Sequence, residues 1–350
     1  MDPLFNTADL CGVVATVRVA PSFFLDRYFR SAPKFSTQEN IIFDEILEGL
    51  PVMAPFVSPL VAAKPQQRTG YGVKSFRPAY VKPKHQIKPG DFVSRLPGEA
   101  LTGELSMEER RNREIVRLIA EQKRQIYARW EWMAAQAIIN GKVEVSGEDY
   151  PAQIVDFGRD QNNEIIISAD AQKWANENAD IDGLLEDWSL QLLTKSGYAG
   201  TDLIMSPEVW KCFRKNKAVL RNADLRRGIT SMPDLQPKIA QDSVRYVGQY
   251  GEFSLYVYAG RFRDQDGKET RALLAGEVVL TAAPNDDGQG GAHGVKVFGA
   301  IQDVQAGLVA TDIFPKSWIQ PDPSAEYIMS QSAPLMVPGR PNATLKATVL

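Results

Sequence analysis

Few residues in this 350-residue chain have the types and spacing that catalysis or metal binding requires. The two histidines, His85 and His293, each lack a cysteine, a second histidine or a carboxylate pair at ligand spacing. Cys11 and Cys212 lie far apart in no recurring spacing, so neither a disulfide framework nor a zinc knuckle is indicated, and a reducing cytoplasm is the simplest home. The run "NADIDG" places Asn178, Asp180, Asp182 and Gly183 like the start of an EF-hand loop. Ser189, however, stands at the twelfth position, where a bidentate glutamate is needed. An acidic helix start capped by Asp182 is the expectation there. "GQGGAHG", Gly288 to Gly294, has no Lys-Ser/Thr ending and reads as a mobile surface loop rather than a phosphate cradle. No G-x-S-x-G, H-E-x-x-H or kinase set occurs, and a Ser/His/Asp triad could draw on the two isolated histidines alone. The 43 Asp+Glu leave open a carboxylate pair of the glycosidase kind. The residues therefore predict a protein with no catalytic, cofactor or metal site.

One stretch does carry a chemical bias. In "FRPAYVKPKHQIKPGDFVSRLPGE", Phe76 to Glu99, the cations Arg77, Lys82, Lys84, Lys88 and Arg95 precede or surround one aspartate, Asp91. Pro78, Pro83 and Pro89 remove backbone donors and disfavour helix, so the run must be extended. A nucleic-acid contact, a linker and a strand reserved for a partner all fit those residues. The formal net charge of −3, from 40 Lys+Arg against 43 Asp+Glu, provides no overall field to collect nucleic acid or an anionic membrane. The N-terminal residues lack a basic leader, and no apolar run approaches the roughly 18 residues that span a bilayer.

The elements around this run follow from periodicity. Nine prolines between Pro33 and Pro97 exclude long helices there and favour edge strands. Ser106 and Glu109 then form a capping-box pattern, and Ile115, Ile119, Ile126, Trp130, Met133 and Ala137 recur at helical spacing until Gly141. The result is a spine helix about 34 residues and about 50 Å long, whose stripe is interrupted at Gln122 and Lys123 and holds no strict heptad. Glu108 with Arg111, Glu114 with Arg117 and Glu121 with Arg124 are expected to lace its outer face, each pair worth about 0.2–0.5 kcal/mol. Beyond it lie a strand pair turning at Gly147 and a helix with Leu184, Leu185, Trp188 and Leu192 on one face. The strand "TDLIMS", a helix opened by Ser206 and Pro207, and a long hairpin turning at Asp266 and Gly267 follow. The body is thus α+β.

With these elements in place, "FRPAYVKPKH" before a long helix and "FPKSWIQPDPSAEYIMSQSAPLM" near the end resemble the capsid protein E family, the major capsid proteins of lambda-like tailed phages. "PLF" near the start, "VSPLVA" at 57–62, "LIMSPEVWKCFRKNKAV" at 203–219 and "VKVFGAIQD" at 295–303 extend the resemblance in the same order along nearly the whole chain. The specificity lies in that collinearity, and the Gly-rich loop at 285–294 departs from the pattern.

The resemblance implies the fold of tailed-phage and herpesvirus shells. Its parts would be an N-terminal arm at 1–32, an extended loop at 33–103, a peripheral domain with the spine helix at 104–180, an axial domain at 181–309, and a return to the peripheral domain with C-terminal strands at 310–350. It also implies self-assembly into hexamers and pentamers of an icosahedral shell in the virion, formed in the bacterial host cytoplasm and enclosing double-stranded DNA without sequence-specific binding. A scaffolding protein, a portal and a decoration protein are the partners it suggests. Arg77, Lys82, Lys84, Lys88 and Arg95 would then belong to a strap between subunits. An encapsulin-like container for protein cargo and a polysaccharide hydrolase are the alternatives; a neighbouring terminase gene argues against the first, and turnover of glycans would support the second.

Overall fold

The computed structural model describes residues 7–20, 22–36, 40–45, 72–88, 90, 105–147, 150–221, 240–241, 243–264, 267–284, 293–304, 311–322 and 324–350. In chain order the chain forms helices α1 (Thr7–Thr16) and α2 (Phe23–Tyr28), then strands β1 (Lys34–Phe35), β2 (Ile41–Glu45), β3 (Gly72–Phe76) and β4 (Lys84–Ile87). The long helix α3 (Met107–Asn140) leads to β5 (Lys142–Gly147), β6 (Tyr150–Asp156) and β7 (Glu164–Ile166). Helix α4 (Ile181–Ser196), β8 (Gly200–Met205) and α5 (Pro207–Phe213) come next. The rest is strand: β9 (Ala240–Gln241), β10 (Val244–Tyr250), β11 (Phe253–Tyr258), β12 (Arg261–Arg263), β13 (Glu269–Arg271), β14 (Glu277–Ala282), β15 (Val295–Phe298), β16 (Phe314–Gln320), β17 (Ala325–Gln331), β18 (Pro334–Val337) and β19 (Thr344–Thr348). Among the described residues no helix is long and apolar enough to cross a membrane.

The spine helix matches its local signals at both ends. Ser106 Oγ accepts from Glu109 N while the Glu109 carboxylate accepts from Ser106 N, and Gly141 ends the helix in the left-handed region at φ 65°. Its outer face differs from the expected pattern. Glu114 pairs with Arg117 at 2.5 Å, but Arg111 reaches across to Glu326 of β17 with contacts of 2.9 and 2.7 Å, and Arg124 Nε donates to the Ala120 carbonyl. A guanidinium finds a stronger partner in a buried carboxylate than in an exposed one a turn away.

Among the described residues, seven strands form the central sheet in the order β7-β19-β14-β8-β11-β10-β9. Alternation divides its residues between two cores. Leu203, Met205, Leu255, Val278 and Leu280 face α4 and α5, whereas Ile204, Tyr256, Tyr258 and Val279 face α2 and the spine. Strand β14 is buried along its whole length because neighbours flank both edges and both faces are covered. The C-terminal block is shared: β16 and β17 pair with β4 in a three-stranded sheet, β18 pairs with β15, and β19 joins the central sheet beside β14.

Three local expectations are corrected. The long hairpin exists at its tip alone, where β12 pairs with β13 and Gly267 adopts φ 77°; Asp266 lies outside the described residues. Its two legs, β11 and β14, are held apart by β8, which is parallel to the first and antiparallel to the second. The start of α4 is capped by Asp180, whose carboxylate accepts from Gly183 N, not by Asp182, which instead accepts from the Tyr250 hydroxyl. The Gly-rich run is not surface to its end, because His293 and Gly294 are buried and a Cβ on Gly294 would overlap the Val337 carbonyl, the Phe29 ring and Pro338. Residues 285–292 lie outside the described residues.

Candidate assembly strap and the seats of the two N-terminal helices

Over its described residues 76–88 the basic run is extended and sewn to its own subunit. Pro78 is buried against Gly299, where a Cβ would meet the proline ring at 2.5 Å, and Tyr80 donates to the Ala300 carbonyl at 2.7 Å. Val81 and Ser332 exchange backbone hydrogen bonds of 2.8 and 3.0 Å, after which β4 pairs antiparallel with β17 from Lys84↔Met329 to Ile87↔Glu326. His85 and Ile87 point toward the spine. His85 Nδ1 accepts from Gln122 Nε2 at 3.0 Å, and Ile87 is buried with Ile115, Leu118 and Ile119.

The cations lie on the other side. Lys84 Nζ sits 4.1 Å from the ring centre of Tyr327 and 5.1 Å from that of Trp318, two rings stacked on each other, and Lys82 lies over Tyr80 at 4.7 Å. Arg77 and Lys88 are exposed at the two ends of the anchored stretch. Arg95 and Asp91 lie outside the described residues. Four of the five residues are therefore carried on one segment, but they form no single cluster, and the lysines beside aromatic rings are partly occupied within the subunit.

The polar interruption of the spine stripe proves to be a docking seam. Gln122 is fully buried, donating to the Ile328 carbonyl and accepting from the Ser330 hydroxyl, so it ties the helix to β17. Lys123 Nζ donates to the carbonyls of Val14 and Val17 at 2.6 and 2.7 Å, closing the end of α1, which has no basic residue in its own last turn. Burial lowers the pKa of this ammonium. Two turns further on, Glu131 accepts from the backbone N–H groups of Phe24 and Leu25 at 2.9 and 2.8 Å, at the N-terminal end of α2. The spine thus offers a cation to the carbonyls at one helix C-terminus and a carboxyl acceptor to the N–H groups at another helix N-terminus.

From the other side α2 is held by the central sheet. Asp202 of β8 shares a sheet face with Ile204 and accepts from Arg27 Nε at 2.8 Å and from the Tyr28 hydroxyl at 2.9 Å. A further Arg27 nitrogen lies 2.7 Å from the same oxygen. Arg27 also lies 4.7 Å above the Tyr256 ring, and the Tyr28 ring stands 4.6 Å from the imidazole of His293. Burial raises the Asp202 pKa, while Arg27 and the Tyr28 hydroxyl pull it back. Arg27, Lys123, Glu131, Asp202 and His293 were not singled out as a group by sequence reasoning. The available signal was that Lys123 and Glu131 fall beside Ile119, Ile126 and Trp130 on a helical face that ought to be apolar.

The family model described as phage major capsid protein E matches residues 6–349. The major capsid protein of Enterobacteria phage P21 is 33% identical over 338 residues, covering 95% of this chain and 96% of the relative. That of Escherichia phage lambda is 30% identical over 343 residues, covering 97% of both. Among solved structures, a prophage capsid protein of E. coli CFT073 superposes with a TM-score of 0.73 at 27% identity, with 99% of each chain covered.

Proposed function

The chain belongs to the phage major capsid protein E family, and from that premise we propose that it is a major capsid protein, a structural subunit whose copies assemble into the shell of a phage head. The observation that carries this reading is similarity along nearly the whole length to major capsid proteins of P21 and lambda, with 95–97% of each chain covered. Neither a cargo container nor a polysaccharide hydrolase is favoured by such relatives. The finer reading is of hexamers and pentamers in a closed icosahedral shell, assembled in the host cytoplasm on a scaffolding protein and closed by a portal, with room for a decoration protein outside. Double-stranded DNA fills this shell without sequence-specific contacts. A net charge of −3 supports that, since DNA pumped in by a motor needs no cationic lining. Negative-stain electron microscopy of the protein expressed with its upstream gene tests the reading. Closed shells are expected; a monodisperse monomer at high concentration, with and without scaffold, would overturn it.

In this proposal residues 77–88 root the extended loop on the subunit, and the cationic side of that root meets an acidic surface on a neighbour. Lys82 and Lys84 rest on aromatic faces, with no carboxylate among the described residues within ion-pair distance of either. Interfacial charge of this kind sets register and specificity more than affinity. Replacing Lys82, Lys84 and Lys88 together with glutamate is expected to leave the circular dichroism of the subunit unchanged, apart from about 0.5–1 kcal/mol of stability lost with each cation–π contact. Shell closure should fail or shift its salt dependence. Normal particles at normal yield would make the run an inert edge.

A further inference from the structure

Helix α2 lies between the spine and the central sheet, and a buried titratable group stands on each side of it. On the spine side is Glu131, 7% exposed, whose carboxylate is held by two backbone N–H groups, with no cation among the described residues within ion-pair distance. Asp26 of α2 and Tyr258 of β11 face it, the first a like charge and the second a phenol. On the sheet side is His293, 3% exposed, at the foot of β15. Its Nε2 lies 2.7 Å from the Ala282 carbonyl of β14, so that nitrogen carries the proton of the neutral ring. Nδ1 is then an unprotonated acceptor, and it is buried with no hydrogen-bond partner among the described residues. Arg27 and Tyr28 of α2 face this imidazole, and Asp202 of β8 stands behind them.

Adding a proton has opposite consequences at the two places. At His293 Nδ1 it creates a buried cation beside the Arg27 guanidinium and a new N–H donor with no hydrogen-bond partner among the described residues. At Glu131 it removes a buried anion that has no counter-ion among the described residues, while lone pairs on both carboxyl oxygens remain to accept from Phe24 and Leu25. We propose that the seat of α2 is a two-sided proton switch: uptake at His293 loosens the helix from the central sheet, uptake at Glu131 secures it to the spine, and together they hold its docking nearly constant across mildly acid pH.

The direction follows for each group. Burial pushes His293 down to about 4, so its contribution is fully present above its ordinary 6.5 and is lost as the pH falls toward 4. Burial pushes Glu131 up to about 7, against the pull of the Phe24 and Leu25 N–H groups. Its contribution is fully present below its ordinary 4.5 and is lost as the pH rises toward 7. Asp202, also raised by burial, acts in the same sense as Glu131.

The test is urea unfolding of the full-length unassembled subunit at pH 4.5 and 6.5 for the parent, Glu131→Gln, His293→Gln and the double variant. Taking ratios to the parent cancels every other titrating group. Between pH 6.5 and 4.5 the unfolding constant of Glu131→Gln relative to the parent should rise about 40-fold, and that of His293→Gln should fall about 40-fold, as displacements of this size dictate. The double variant should track the parent. Four parallel profiles would overturn the proposal. If either variant fails to fold, ring-carbon NMR of the parent decides, since the chain has two histidines to assign: His293 should stay neutral down to near pH 4, and titration near 6.5 would overturn it.

Discussion

Replacing Asp202 with alanine should destabilise the unassembled subunit by about 3–5 kcal/mol, the cost of breaking a buried ion pair from one side. The loss is large because Asp202 is the shared acceptor for Arg27 Nε at 2.8 Å and the Tyr28 hydroxyl at 2.9 Å, and both donors would be left facing a hole. Asn at this position keeps an acceptor without the charge and should cost less. The informative control is the pair Arg27→Met with Asp202→Leu, which removes the donor and acceptor charges together and should recover much of the loss. Equilibrium unfolding in urea measures all three. A cost below about 1 kcal/mol for Asp202→Ala, or a double variant less stable than Asp202→Ala, would show that α2 is not held by this pair.

Gly294→Ala is expected to be at least as damaging, about 3 kcal/mol or more, above the usual cost of one extra methyl in a packed interior. Its Cβ would fall on the Val337 carbonyl, on Pro338 and on the ring of Phe29, and two of those three obstacles involve backbone that cannot swing aside. Since β15 pairs with β18 through Val295↔Val337, relief would require the strands to part and would unseat Phe29 at the end of the arm. Gly12→Ala is the matched control. It lies on α1 with nothing within 4 Å of the added atom, and it should gain about 0.5–1 kcal/mol from helix propensity. Soluble expression with thermal melting of both variants checks the contrast, and equal behaviour would refute it.

The two glycines also show how much could be read beforehand. Gly141 reads as a helix stop and is one, because the signal and the structure it governs lie within one turn of each other. The company Gly294 keeps in "GQGGAHG" predicts surface, whereas its burial depends on Val337 and Phe29, some forty residues ahead and more than two hundred and fifty behind. The same division runs through the candidate strap. Its prolines predict an extended chain, as observed over residues 76–88, but its pairing with β17 depends on a strand that arrives more than two hundred residues later. Collinear resemblance supplied the family without any of these contacts, since it compares order along the chain and needs no partner in space.

The sequence by itself determined the elements whose hydrogen bonds close locally: the spine helix from Ser106 to Gly141, the turn at Gly267, the start of α5 at Ser206, and the extended state of residues 76–88. Each is decided by capping groups, φ preferences and a 3.6-residue or two-residue period acting over a few positions. Tertiary structure alone decided that β8 separates β11 from β14, that β19 crosses to the central sheet, and that Lys123 and Glu131 are buried. Strand order and the tolerable burial of a charge depend on which distant groups come to lie opposite. A lysine in an apolar stripe is an interruption until the end of α1 delivers two carbonyls to it, and a glutamate there is a defect until α2 delivers two N–H groups.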